Sequence, residues 1–244
     1  MKKAAFLICG LFLALTLFGC NNTPNDTDES VTFRLVKQTT IEKTGDETVT
    51  TFEYDAQGRL IKYEIISGDN ADTVKEVEYD NHGYKNYEKG VSKSGLETEV
   101  FWTNDDDGRV IKQRLVTTFA EASLSIESIS EFEYTDEYGS YVQRFVFGTS
   151  KGNTVTVTKD KYGNEVTHEE SGLFSAVYEN KYEDDILVET TTSRTTQTGT
   201  VITKTVYEYD KNGNMIKEVS YDSRGNVTLT QIYEYLTVTT KSQP

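Results

Sequence analysis

Residues 205–231, TVYEYDKNGNMIKEVSYDSRGNVTLTQ, write one unit twice. Each copy is an apolar/polar run, then Tyr-Asp, two variable residues, Gly, and a second run: Tyr209-Asp210 with Gly213, and Tyr221-Asp222 with Gly225. Asp suits the first position of a type I turn, where its carboxylate accepts bonds from the following amides. Gly supplies the positive φ needed to enter the return strand. The flanking Val, Tyr, Thr and Ile suit a pleated, half-buried surface. Each copy reads as a β-hairpin.

Working outward, the same D-x-x-G turn begins at Asp55, Asp80, Asp105, Asp136 and Asp160, with a copy lacking Gly at Tyr182-Glu183-Asp184-Asp185. The spacing is near 25 residues, two strands and two turns, and this period decides the fold class. A 31-residue step before Asp136 carries an extra stretch, residues 119–130, where a longer loop is expected at 120–123. The 12-residue step between Asp210 and Asp222 is half a period and puts those turns at opposite ends of one strand. Opposite turns are visible at Gly68-Asp69, Ser94-Gly95, Gly152-Asn153, Ser171-Gly172 and Thr198-Gly199. No window after residue 20 sustains an amphipathic helical pattern, and both prolines, Pro24 and Pro244, lie outside the repeats.

The fold predicted is all-β: an antiparallel meander of hairpin repeats over residues 31–241, one domain of about fourteen to sixteen strands, each about seven to nine residues long. In Phe52-Glu53-Tyr54, Val77-Glu78-Tyr79 and Tyr207-Glu208-Tyr209 aromatic or apolar residues alternate with acidic ones, giving one aromatic and one charged face. The adjacent pairs Leu60/Ile61, Val110/Ile111 and Met215/Ile216 suggest burial on both faces or a rim position. A flat layer would leave the aromatic face wet. The sheet must curl into a closed or partly open barrel, or fold over as a sandwich.

The unit Y-x-Y-D-x-x-G-N/R-apolar, sharp at residues 52–63 and 205–228, resembles the YD repeat of the Rhs and teneurin family. In that family such repeats coil into long β-strand shells that enclose cargo or present adhesive surfaces. The repeats here are too few for a cargo shell, and the chain is more similar to small YD-type lipoproteins of Bacteroidetes. The resemblance brings no catalytic residue onto these positions.

The N-terminus reads as an export signal. Lys2 and Lys3 precede an apolar run over residues 4–18, and Leu17-Phe18-Gly19-Cys20 resembles the bacterial lipobox. The resemblance implies a signal peptide over residues 1–19, lipid on Cys20 and a membrane anchor, followed by a polar tether over residues 20–30. It also implies a cell-envelope address, at the outer membrane and facing the periplasm or the surface. Cys9 and Cys20 are the two cysteines, so the exported chain has no disulfide and depends on packing. Its net charge of -15 becomes -17 once the two lysines leave, which speaks against nucleic acid as a partner.

Signals for chemistry are sparse. His82 sits in a turn and His168 beside Glu169 and Glu170; neither recurs in other repeats. Residues 103–108, TNDDDG, approach a calcium loop, but Thr103 stands at the first ligand position and Arg114 at the twelfth, so a charged turn is expected and no metal. With 40 acidic residues any carboxylate pair could be chosen, and no nucleophile elbow or phosphate loop is present. No enzyme and no cofactor are expected. Asp72-Thr73-Val74 resembles an O-glycosylation site of exported proteins, though a strand start explains it equally. The aromatics are expected chiefly as core. Their functional reading is a stacking platform for sugar rings on Tyr54, Tyr79, Trp102 and Tyr209. The expectation is a non-enzymatic, lipid-anchored binding or interaction module for a glycan or protein ligand; the alternative is a half-barrel carrier of a lipid or acyl chain.

Overall fold

The computed structural model describes residues 29–67 and 70–241. The signal segment expected over residues 1–19, Cys20 and the expected tether up to residue 28 lie outside the described residues, as do Gly68 and Asp69. Glu29 and Ser30, assigned to the tether from sequence, lie in the first strand.

Sixteen strands follow in order. They are β1 (Glu29–Glu42), β2 (Glu47–Tyr54), β3 (Leu60–Ser67), β4 (Asn70–Tyr79), β5 (Lys85–Ser92), β6 (Leu96–Asn104), β7 (Val110–Phe119) and β8 (Leu124–Tyr134). Then come β9 (Tyr141–Phe147), β10 (Thr154–Lys159), β11 (Glu165–Glu170), β12 (Phe174–Glu183), β13 (Ile186–Thr196), β14 (Gly199–Tyr209), β15 (Met215–Asp222) and β16 (Val227–Lys241). Each strand pairs antiparallel with its sequence neighbours, and β16 returns to β1, so the sheet is a closed barrel. Sixteen strands at about 4.8 Å spacing give a perimeter of roughly 80 Å.

The repeated turn explains the meander. The Asp55 amide donates to the Arg59 carbonyl at 2.9 Å, and the Gly58 amide to the Asp55 carbonyl at 3.0 Å. Asp55 Oδ1 accepts the Arg59 amide at 2.8 Å, and Gly58 takes φ +83°. This is a type I turn closed by a glycine bulge, and the β2–β3 register shifts beside it, between Glu53 and Tyr54. The turns after Asp210 and Asp222 sit at opposite ends of β15, as the half period requires. The copy without Gly is solved differently: Asp184 and Asp185 both take positive φ (49° and 63°), the signature of a two-residue type I′ hairpin.

The structure sharpens several expectations. The loop expected at residues 120–123 is there, built on the 3-10 turn Ala120–Ala122, and the rest of the extra stretch lengthens β7 and β8 instead of extending that loop. Of the two alternatives for the adjacent apolar pairs, the rim position holds: they lie at strand starts beside the turns, where Ile61 and Ile111 are exposed, not buried on both faces. Strands run from 6 to 15 residues, because β1 and β16 are far longer than the repeat demands.

That excess length has a definite form. β2 pairs with β1 only from Lys37 to Ile41, and β15 pairs with β16 only between Val227 and Ile232. Residues 29–35 of β1 therefore pair with residues 235–241 of β16 alone. They form a two-stranded ribbon about 20 Å long that projects past the D-x-x-G rim.

Buried apolar side chains are few among the described residues: Leu35, Val77, Val155, Val157, Ala176, Val219 and Tyr233. Ring contacts join strands adjacent in the sheet or hairpins next to one another, as with Phe52 and Tyr63 or Tyr87 and Phe101. The aromatics are mostly half-buried and dress the wall.

Candidate functional site

The feature most strongly built into the wall is a tyrosine ladder. The β3–β4 pairing ends at Lys62 and Glu76, so the Leu60 carbonyl lies beyond the ladder; the Tyr79 hydroxyl reaches back and donates to it at 2.9 Å. The same bond joins Tyr54 to the Leu35 carbonyl (2.7 Å), Tyr134 to Val110 (3.2 Å), Tyr209 to Leu187 (2.7 Å) and Tyr235 to Met215 (2.9 Å). Asn104, at the tyrosine position of its repeat, donates to Lys85 (3.0 Å), and Asn180 within β12 donates to Glu165 (2.9 Å). The stagger of strands in a barrel leaves a carbonyl short of a partner at the rim, and at five of the turns the last strand residue (Tyr54, Tyr79, Asn104, Tyr134 or Tyr209) supplies one.

Cations cover several of these rings. The Arg59 guanidinium lies 4.8 Å from the Tyr79 centroid while its Nε bonds Asp55 at 2.7 Å. Arg109 lies 5.2 Å from the Tyr134 ring and bonds Asp105. Arg34 sits over Tyr54 at 5.9 Å and Lys85 over Trp102 at 4.4 Å. Burial pushes the Tyr54 and Tyr209 hydroxyls up to about 12 and raises that of Tyr79 as well.

Tyr54, Tyr79, Trp102 and Tyr209 thus sit on β2, β4, β6 and β14, spread along an arc of the D-x-x-G rim on both sides of the β1–β16 seam. Three of the four already carry a cation over one face. Sequence reasoning passed over the arginines, although the D-x-x-G-R spelling at residues 55–59 and 105–109 carries the signal.

Other polar groups cluster on the wall. Glu88 is buried and accepts from Lys75 (2.9 Å), Lys85 (2.6 Å) and the Tyr63 hydroxyl (3.3 Å). Burial alone would raise its carboxyl, but the two ammonium groups hold it below the usual range. Glu218 is the opposite case: it accepts from the Tyr233 hydroxyl at 3.1 Å, and burial raises its carboxyl. His168 stacks on Phe174 at 5.3 Å, with Arg194 on that ring at 4.0 Å. His82 lies in its turn, its amide donating to Asp80. The Asp105 carboxylate is taken up by the amides of Asp107 and Arg109 and by the Arg109 side chain. Among the described residues no three His, Cys, Asp or Glu side chains form a group that could hold a metal.

Shallow depressions interrupt the described surface. One of about 580 Å³ is lined by Thr191, Ile202, Lys204, Val206 and Tyr221, and one of about 430 Å³ by Asp72, Thr73, Ser92, Lys93 and Ser94.

The two rims differ in character. The seven turns of the D-x-x-G rim, with Glu183 at the end of β12, hold twelve carboxylates against Arg59, Arg109, Lys161 and Lys211, a balance of -8. The described turns of the opposite rim, with Asp222 at the end of β15, hold four basic residues and three acidic ones. That rim also gathers exposed apolar side chains from successive hairpins: Phe119, Leu124, Phe147, Leu173, Val201 and Val227.

No family model matches this chain, and no curated protein matches it. Among solved structures it is similar to TcdB2-TccC3 without its hypervariable C-terminal region, at 15% identity and a TM-score of 0.31, covering 75% of this chain and 10% of that one. The TcdB2-TccC3 structure gives 14%, 0.30, 77% and 10%. A porin-like protein from Bacteroides uniformis gives 12% identity and a TM-score of 0.40, covering 87% of this chain and 98% of that one. The chain spans about a tenth of the length of the first two. Likeness at this level lends nothing to the functional argument, which rests on this chain's own geometry.

Proposed function

We propose that this chain is a lipid-anchored envelope protein of the YD-repeat type, held to the outer membrane through Cys20. Its closed barrel is a non-enzymatic binding module for a protein or glycan ligand. The observation that carries this reading is the polarity of the barrel. The N-terminal strand leaves at the acidic rim as part of a ribbon, and the rim with exposed Phe119, Phe147, Leu173 and Val201 lies at the other end. An anchor ahead of Glu29 leaves that apolar rim pointing away from the membrane, free to meet a ligand. The ribbon also suits an acidic protein on an anionic surface: its length of about 20 Å exceeds the Debye length of about 8 Å at physiological salt, so the rim charges stand clear of the lipid headgroups.

The barrel itself is poorly suited to sit within a bilayer. One face carries Lys62 with Glu53 and Glu64, Arg114 with Glu127, and Lys217 with Glu208; the other carries Glu88, Lys75 and Glu218. Neither offers the apolar band about 25 Å tall that lipid requires. The mixed polarity also disfavours the acyl-carrier reading.

Two experiments test the proposal. Cys20→Ser should move the protein from the membrane to the soluble fraction; continued membrane association would defeat the anchor. Purified residues 21–244 should bind on a glycan array or capture a cell-surface protein, and Phe147→Ser with Leu173→Ser should weaken that binding at least tenfold. Retention of extracted lipid with neither kind of binding would favour the carrier instead.

A further inference from the structure

The ribbon has two sheet edges that no described strand pairs with, since residues 29–35 and 235–241 enter the β-ladder only with each other. Such an edge presents a row of amides and carbonyls ready for another strand, and proteins usually blunt it with charge, proline or a bulge. On β16 the edge reads Leu-Thr-Val-Thr-Thr over residues 236–240, with no charge and no proline, and with Leu236 more than half exposed. The bulge between Leu35 and Lys37 lies on the partner strand, at the base of the ribbon, and leaves the β16 edge regular.

We propose that the free edge of β16 over residues 236–240 is a strand-addition site for an extended, basic segment of another protein. Main-chain bonds along the edge would supply the affinity. The sign of the partner follows from its neighbours. A strand laid on this edge stands beside the turn at residues 210–214 and the next hairpin, Glu183-Asp184-Asp185, on a rim with a balance of -8. Lysine or arginine at alternate positions of the added strand would face these carboxylates, and an acidic strand would be repelled. A second copy of this chain is the poorer occupant, because pairing two ribbons brings two acidic rims together. This site is separate from the apolar rim and does not depend on lipid at Cys20.

The test uses the full chain in detergent and a fluorescent heptapeptide of alternating lysine and valine, read by anisotropy. The peptide is expected to bind, with affinity falling about tenfold between 50 and 300 mM NaCl, while the glutamate-valine counterpart does not. The lysine peptide N-methylated at three consecutive central residues should bind at least tenfold more weakly, because it keeps its charge and loses its donors. Asp184→Asn with Asp185→Asn, which keeps residues tolerant of positive φ in that turn, should weaken binding two- to fivefold. Failure of the lysine peptide to bind would overturn the proposal. Equal binding of the N-methylated peptide would reduce it to charge attraction and overturn it too. Sedimentation showing a dimer that Thr237→Pro or Val238→Pro dissolves would assign the edge to a second copy and reject the basic partner.

Discussion

Tyr79 donates its hydroxyl to the Leu60 main-chain carbonyl at 2.9 Å, a bond between a side chain at the end of β4 and a backbone group at the start of β3. It closes a gap that the β-ladder leaves at the rim, and four more tyrosines repeat it around the barrel. Tyr79→Phe keeps the ring under Arg59 and removes only this donor. The expected loss is about 1 kcal/mol, a fall of about 2–4 °C in Tm for a domain of this size, measured by thermal unfolding. An unchanged Tm would show that water satisfies the Leu60 carbonyl equally well.

Glu88 and Glu218 should respond to pH with opposite signs. The Glu88 carboxyl is depressed in the fold, so its contribution is present above the unfolded carboxylate value of about 4.3 and is lost as pH falls through the folded value. Glu88→Gln is expected to cost about 2 kcal/mol near pH 7, a difference that shrinks below pH 4. The Glu218 carboxyl is raised, so its burial favours the fold at low pH and opposes it as pH rises through the folded value. Glu218→Gln should raise Tm by a few degrees at pH 7–8 and have little effect at pH 4. Parallel pH shifts in the two variants would refute this pairing of signs.

Gly108 and Gly213 share nearly the same backbone, φ +81° and +82°, in different surroundings. A Cβ on Gly108 would lie 2.5 Å from Cε1 of the Tyr84 ring, whereas one on Gly213 would meet nothing within 4 Å. Alanine at either position carries the left-handed penalty of about 1–2 kcal/mol. Gly108→Ala should cost about 1 kcal/mol more, because the Tyr84 ring must move. Chemical denaturation of the two variants compares them directly, and equal losses would mean that the ring moves freely.

Tyr233 fastens the seam. It is buried on β16, opposite Gln38 of β1, where the first strand meets the last. Tyr233→Ala is expected to cost about 3–5 kcal/mol and, by loosening closure, to expose two long sheet edges. Size-exclusion chromatography should then show soluble aggregate. A monomeric, merely destabilised variant would indicate that closure survives without the ring.

The turns were legible residue by residue. Asp55 and Gly58, or Asp210 and Gly213, need nothing beyond four neighbouring residues to fold as they do, since the bonds are local and only glycine enters the left-handed region cheaply. The alternation of Phe52-Glu53-Tyr54 likewise fixes which side chains share a face. The arginine over the ring was harder to read: Arg59 covers a tyrosine one repeat away, and only the register of β3 against β4 brings them together.

Sequence alone therefore determined the element type, the 25-residue period, the meander order and the turn at each end of β15, because all of these depend on contacts close along the chain. Tertiary structure decided the rest. Closure rests on Glu29 meeting Lys241 and Gln38 meeting Tyr233, pairs about two hundred residues apart whose encounter depends on the twist and stagger summed over sixteen strands. Hairpin spelling sets each strand against the next, but a barrel and a sandwich use the same spelling. The same sum left seven residues of β1 and seven of β16 beyond their outer neighbours. That excess makes the ribbon, places the start of β1 at the acidic rim, and separates it from the apolar rim at the other pole.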